Sequence, residues 1–317
     1  MWNEHQKREA IAYHGIAADR IVVTGAQLFD RWFDRQPSQS HEAFCAMVGL
    51  PTDRPIVLYT GSSVFIARSE IEAPFVRRWI EALRASQDPV LRDAAVLVRP
   101  HPFNCEAWET ADFSDLGPVS VWPRQRYTPA AEEARNSLYD SLHFSAAVVG
   151  VNTSAMIEAA ILGRPVLSVL APEFAATQEG TVHFHYLLPE NGGFLRIASS
   201  IEAHVGQLSE VLASPEVTRQ QTARFVSRRR CMNTPLSPTS RFHRYSGSYC
   251  RSCDGTLGPA GYAVAPWRRT GRERLLDRKR LVGTQIKFDV NKLIYIGNPN
   301  TENNTTATWH ASGIRTI

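Results

Sequence analysis

The sequence predicts an α/β fold, a doubly wound parallel sheet over residues 1–227, followed by a poorly structured basic tail over residues 228–317. Two observations predict the sheet. Short runs of consecutive apolar residues recur along the first part of the chain, as in strands buried on both faces. Segments with apolar residues at helical spacing lie between these runs, and such alternation is typical of βαβ units.

Seven apolar runs predict strands, most of them bordered by glycine or proline. They are residues 21–25, 56–60, 95–98, 119–122, 146–149, 166–170 and 194–197. Helical spacing predicts helices over 70–85, 138–145, 154–162 and 201–212, the last with Ser199 or Ser200 as N-cap. The first of these helices would turn five residues to one face: Ile71, Phe75, Trp79, Ile80 and Leu83. Parallel sheets bind ligands at the carboxyl ends of their strands, so the loops there are the candidate sites.

The fifth strand leads into Gly150-Val-Asn-Thr-Ser154 and then a helix. Asn152, Thr153 and Ser154 could donate hydrogen bonds to a diphosphate at the start of that helix. Glu158, one turn further on, could accept hydrogen bonds from a ribose. Simple helix capping by Thr or Ser explains the same residues equally well.

Two other strand ends carry candidate residues. Arg99 and His101, in an Arg-Pro-His-Pro sequence, could supply charge to a phosphate site, although a turn with a solvated Arg is the alternative. Gly61, Ser62 and Ser63 form a turn that lets the backbone approach a ligand closely, a pattern common to many strand-to-helix turns.

A long polar loop follows the strand predicted over residues 166–170. It is rich in side chains that could contact a sugar, and an ordinary surface loop is the alternative. The candidates in it are Gln178, Glu179 and His183.

The segment 147–167 resembles the donor-binding helix in the C-terminal domain of GT-B glycosyltransferases, with its Gly/Ser/Thr loop, helix with Glu158, and Gly163-Arg-Pro165 turn. It is similar to the lipid-linked N-acetylglucosaminyl transferases of peptidoglycan synthesis, and Arg-Pro-His-Pro resembles the capsule-polysaccharide and glycerophosphotransferase branch. The resemblance implies that Thr153 and Ser154 hold the donor diphosphate, that Glu158 holds the ribose, and that His101 lies near the donor phosphates. It also implies that the loops at 61–63 and 178–183 face the donor.

The resemblance covers residues 2–226 and implies a Rossmann-like half of a GT-B fold. A complete enzyme of this family carries an acceptor-binding domain before this point, usually with the catalytic base. We therefore expect a half-enzyme: a truncated gene product, a late start, or one subunit of a split enzyme. The resemblance leaves the catalytic residues unknown and implies no metal and no cofactor, the nucleotide sugar being a substrate.

The implied function is binding of a nucleotide-diphosphate sugar, or a CDP-glycerol-like donor, for surface-polysaccharide synthesis. A nucleotide-sugar 2-epimerase and a non-catalytic nucleotide-binding module of a polysaccharide assembly system are the alternatives. Motifs of common dehydrogenases, P-loop enzymes, zinc proteases and Gly-x-Ser-x-Gly hydrolases are absent from the sequence. The expected partners are the donor and a separate acceptor-binding domain or subunit, without DNA.

The tail differs from the body in charge. Residues 228–317 hold 16 Lys and Arg against 5 Asp and Glu, whereas the preceding residues hold 19 against 26. The abrupt change predicts out-of-frame or foreign sequence, with an arginine-rich nucleic-acid-binding tail as one alternative and a zinc site as another. The zinc candidates are Cys231, His243, Cys250 and Cys253. Without a signal peptide or an apolar span we expect a cytoplasmic protein, with peripheral contact at the inner membrane face at most.

Overall fold

The computed structural model describes residues 1–129 and 131–230. Their strands form one six-stranded sheet in which all neighbouring strands are parallel, in the order β3-β2-β1-β4-β5-β6. The strands are β1 (Ile56–Thr60), β2 (Ala95–Arg99), β3 (Val119–Val121), β4 (Ala147–Gly150), β5 (Val166–Val169) and β6 (Arg196–Ala198). The strand order reverses between β1 and β4, so the doubly wound fold predicted from the sequence is confirmed.

Helices connect the strands and cover both faces of the sheet. They are α1 (Glu4–His14), α2 (Asp30–Phe33), α3 (His41–Val48), α4 (Ser69–Arg84), α5 (Pro89–Arg92), α6 (Glu106–Thr110), α7 (Glu132–Phe144), α8 (Ala155–Ile161), α9 (Val182–His185), α10 (Ile201–Ala213) and α11 (Glu216–Arg230).

Alternate residues of the central strands enter two hydrophobic cores. Leu58 and Leu97 point to one face, where they join residues of α3, α7 and α8. Val57 and Val96 point to the other face, where they join residues of α4 and α10. Every residue of β1, β2, β4 and β5 is buried, as expected for strands covered on both sides.

Six of the seven predicted strands are confirmed, and the prediction over 21–25 is wrong. That segment is not a strand, and its backbone pairs with the first residue: Met1 N donates to Val22 O (2.8 Å) and Thr24 N donates to Met1 O (3.0 Å). It has no hydrogen-bonded position in the sheet. An apolar β-branched run predicts extended backbone, but only a neighbouring strand makes it part of a sheet.

The predicted helices are confirmed, three of them with end shifts of one residue or none, whereas the helix predicted over 138–145 begins six residues earlier, as α7 at Glu132. Ser200 caps α10 by accepting a hydrogen bond from Ala203 N. Ile71 was placed wrongly on the buried face of α4, because it is 48% exposed and the buried position beside it belongs to Glu72. Cys45 and Cys105 are buried.

Among residues 1–129 and 131–230, none of the helices has the length and apolar character needed to cross a membrane. The zinc candidates and nearly all of the predicted tail lie outside the described residues.

Candidate functional site

The loops that follow β1, β2 and β4 meet at the carboxyl edge of the sheet, where the strand order reverses. Gly61 N donates to Arg99 O (2.8 Å), which joins the first two loops. A Cβ on Gly61 would lie 3.0 Å from His101 N, and a Cβ on Gly150 would lie 2.8 Å from Thr60 Oγ1. The two glycines therefore permit the close approach that brings the three loops together.

Arg99 is a buried cation of this site, 3% exposed. Its side chain is directed towards α7, where Nη1 donates to Ser137 Oγ (3.0 Å) and Ser141 Oγ (3.2 Å). Nε and Nη2 are buried without a hydrogen-bond partner among the described residues, and the Tyr127 ring lies 5.5 Å from Cζ. Burial lowers the pKa of Arg99, while Tyr127, Glu158 and Asp140 act in the opposite direction. Within the described part of the chain this guanidinium forms no ion pair.

Glu158 lies on α8, on the same face of the sheet as Arg99. It is 7% exposed, and burial raises the pKa of its carboxyl group to about 8, against the opposing effect of Arg31 and Arg99. The site thus contains a buried cation and a buried acid that are not paired with each other. Buried charges of this kind are costly unless a partner satisfies them.

Thr153 and Ser154 are partly exposed at the start of α8. Ser154 occupies the N-cap position, but its side chain makes no capping hydrogen bond. The capping interpretation therefore does not account for this serine.

Asn152 is used inside the protein. Its Nδ2 donates to Thr177 O (2.6 Å) and to His183 Nε2 (3.0 Å), so it joins the loop after β4 to the long loop after β5. Burial lowers the pKa of His183 to about 4, with a smaller effect of His185.

The other two candidates of the long loop differ sharply in exposure. Gln178 is completely buried, and its Nε2 donates to Val169 O (2.9 Å) and Val151 O (3.2 Å). These contacts give Gln178 a structural role in holding the loop, so its predicted contact with a sugar finds no accessible atom. Glu179 is exposed at the loop surface.

The remaining candidates lie on the two loops next to Arg99. His101 is partly buried, and its Nδ1 accepts a hydrogen bond from Phe103 N (3.2 Å). Ser62 is buried and Ser63 partly buried in the loop after β1.

Sequence reasoning missed two buried side chains that hold the loop after β1. Glu72 accepts hydrogen bonds from Ser62 N, and Asn104 donates to Ser62 O. A carboxylate at a buried position of an otherwise apolar helix face was the available signal for Glu72. The signal for the Arg99 contacts was the four-residue spacing of Ser137 and Ser141 on α7, which places both hydroxyls on one face.

Solved structures similar to this chain include glycosyltransferases and a nucleotide-sugar epimerase. The wall teichoic acid polymerase TagF is 15% identical over 80% of this chain and 56% of its own, with a TM-score of 0.48. A glycosyltransferase from Rickettsia africae is 15% identical over 80% of this chain and 63% of its own, with a TM-score of 0.46. The UDP-GlcNAc 2-epimerase from Neisseria meningitidis is 16% identical over 69% of this chain and 53% of its own, with a TM-score of 0.45.

The chain thus spans a little over half the length of the solved structures it matches. No family model and no curated protein matches it.

Proposed function

We propose that this chain binds the diphosphate of a nucleotide-linked donor, a nucleotide sugar or a CDP-glycerol-like molecule, at the carboxyl edge of its sheet. Arg99 would pair with the phosphates, Thr153 and Ser154 would donate hydrogen bonds to them, and Glu158 would hold the ribose. The sequence resemblance to GT-B donor domains supports the same assignment.

The observation that carries the proposal is the incomplete pairing of Arg99. The Arg99 side chain is 3% exposed and two of its guanidinium nitrogens make no hydrogen bond among the described residues, while the nearby acids Glu158 and Asp140 act on it without forming an ion pair. A buried charge of this kind is costly until an anion pairs with it. A phosphate offers oxygens in the spacing that a guanidinium binds best. The Tyr127 ring lies over the guanidinium, with its centroid 5.5 Å from Cζ.

The position of Glu158 fits a sugar hydroxyl better than a phosphate. Its carboxyl group retains a proton near neutral pH, with a pKa of about 8, so a nearby dianion meets less repulsion than it would from a carboxylate. A carboxyl group in either form can accept a hydrogen bond from a ribose hydroxyl.

Transfer of the donor group would need an acceptor site as well. We propose that a separate acceptor-binding domain or subunit supplies it, and that the product belongs to a surface polysaccharide. In that arrangement Arg99 would stabilise the leaving diphosphate, where negative charge builds up in the transition state.

The test is thermal unfolding of the full chain with UDP, CDP, GDP, their sugars and CDP-glycerol. A ligand at ~100 times its Kd stabilises a one-site protein by about 2.7 kcal/mol. Arg99→Met should abolish the shift, whereas Arg124→Met should keep it, because the exposed Arg124 side chain, within the described part of the chain, donates only to backbone carbonyls of Trp108 and Ala111.

If none of the nucleotides shifts the unfolding temperature of the wild type, or if Arg99→Met shows the same shift as the wild type, the proposed site is excluded. Adding the bound donor and following release of its nucleotide then separates an enzyme from a binding module. Turnover by the chain alone would reject the non-catalytic alternative.

A further inference from the structure

Glu72 is a buried acid that serves no core-packing need. It is 0% exposed on α4, where its neighbours on the buried face are Phe75, Val76 and Trp79. An apolar side chain of similar size would cost less at such a position. The contacts of the carboxylate therefore identify its role.

Both carboxylate oxygens accept from one backbone group. Ser62 N lies 3.0 Å from Oε1 and 3.1 Å from Oε2, and Tyr59 Oη donates to Oε1 over 3.0 Å. Glu72 thus holds the first peptide N–H after Gly61.

Asn104 holds the same loop through the carbonyl group of Ser62. Its Nδ2 donates to Ser62 O (2.8 Å) and Ala67 O (2.7 Å), and its Oδ1 accepts from Ser69 N (3.0 Å). Asn104 is 3% exposed, so these bonds are shielded from water. The Ser62 N–H and C=O are both fixed by side chains from other elements.

The fixed residue adjoins the contact between the loops. Gly61 donates to Arg99 O, and its α-carbon has no room for a side chain beside Pro100 and His101. A displacement of Ser62 would therefore move Gly61 against the backbone that carries Arg99.

We propose that Glu72 is a positioning residue, which fixes the loop of residues 61–68 against Arg99 and His101 through the Ser62 amide and so sets the affinity for a nucleoside diphosphate. This inference rests on the proposed function. Its structural half, the fixing of the loop, can be measured without any ligand.

The experiment compares Glu72→Leu and Glu72→Gln in the full chain. Leu fills the space without an acceptor, whereas Gln keeps one oxygen for Ser62 N and an amide for Tyr59 Oη. The measured quantity is the Kd of the nucleoside diphosphate that stabilises the wild type. We expect Glu72→Leu to raise this Kd about tenfold, and Glu72→Gln to raise it less than about threefold. Tyr59→Phe is the control, because it removes one bond to Glu72 and leaves the Ser62 bonds in place.

Amide hydrogen exchange is the second readout. In the wild type the Ser62 amide should be protected although it lies in a loop, and Glu72→Leu should lose that protection while β1 and β2 keep theirs. Rapid exchange at Ser62 in the wild type would overturn the proposal even if Glu72→Leu does not fold. Equal binding and equal exchange in Glu72→Leu and the wild type would overturn it as well.

The two proposals fail differently. If no nucleotide binds the wild type, the proposed function is wrong, and the exchange at Ser62 still decides whether Glu72 positions the loop. If nucleotides bind but Glu72→Leu binds them as the wild type does, only the positioning role is wrong.

Discussion

Asn152 Nδ2 donates a hydrogen bond to His183 Nε2 over 3.0 Å, and this bond links the loops after β4 and β5. With Nε2 as the acceptor, the imidazole is neutral and carries its proton on Nδ1. The depressed pKa of His183, about 4, agrees with a ring that stays neutral at physiological pH. The link therefore depends on a neutral histidine and an oriented amide.

Removing Asn152 should loosen the long loop. Asn152→Ala loses the bonds to Thr177 O and His183, and we expect it to lower the free energy of unfolding by about 1–3 kcal/mol. Amides of residues 177–183 should exchange faster. Asn191→Ala is the matched control, because the side chain of that exposed asparagine makes one hydrogen bond to the residues that the structure describes, to His185 O. Equal melting of the two variants would show that the Asn152 link contributes nothing.

Gly61→Ala should destabilise the protein. The new Cβ would lie 3.0–3.2 Å from His101 N, Pro100 Cα and Arg99 O, which are backbone atoms that cannot turn away. Overpacking of this kind costs about 1–3 kcal/mol. Gly206→Ala on α10 meets nothing within 4 Å and should instead stabilise by about 0.5–1 kcal/mol. Chemical denaturation of both variants measures the free energy of unfolding, which should fall in Gly61→Ala and rise in Gly206→Ala.

Glu158 should make the protein less stable as the pH rises. Its folded pKa of about 8 lies above the ordinary 4.5, so between these values the unfolded chain releases a proton that the fold retains. Glu72 lowers the stability in the same way up to about pH 7, its own folded pKa. The buried His183 and His204 change the stability only below pH 6.5. Burial also lowers the pKa of the Met1 α-amino group from 8.0, which acts with the opposite sign between pH 7 and 8. The effect of Glu158 is therefore taken from the difference between a Glu158 variant and the wild type, in which the contribution of Met1 cancels.

Glu158→Gln should remove that dependence. The stability of the variant relative to the wild type should increase by up to about 1.4 kcal/mol per pH unit over this window. The exposed Glu109→Gln is the control. Parallel pH profiles for Glu158→Gln and the wild type would mean that Glu158 is ionised in the folded protein.

His204→Leu should stabilise the protein, most of all in acid. His204 is 0% exposed beside Trp79, and neither ring nitrogen has a hydrogen-bond partner among the described residues. Burial lowers its pKa to about 3, so below pH 6.5 the unfolded chain binds a proton that the fold excludes, and stability falls. His204→Leu removes both the cost of the unpartnered ring nitrogens and the loss of stability in acid.

Melting curves at pH 8 and pH 5 check this expectation. The gain should be larger at pH 5, while His14→Gln, at an exposed position on α1, should change neither curve. A loss of stability in His204→Leu at both values would show that the histidine makes a favourable contact.

The sequence by itself determined the strands of the sheet and the helices α4, α7, α8 and α10 that pack on it. Continuous apolar runs such as 56–60 and 95–98 were confirmed as β1 and β2, because strands buried on both faces need apolar residues at every position. It also identified Arg99, Asn152 and Glu158 as polar residues at or after the carboxyl ends of strands. Parallel topology places the loops after those ends at one edge of the sheet.

Only the tertiary structure decided what each of these polar residues contacts. Local pattern could not show that Asn152 and Gln178 are bonded within the protein, or that Arg99 keeps two nitrogens unpartnered among the described residues. Nor could it show that 21–25 lacks a sheet neighbour, or that Glu72 replaces Ile71 on the buried face. Periodicity reports which residues avoid water, whereas pairing and burial of charge depend on segments tens of residues apart that meet only in the fold.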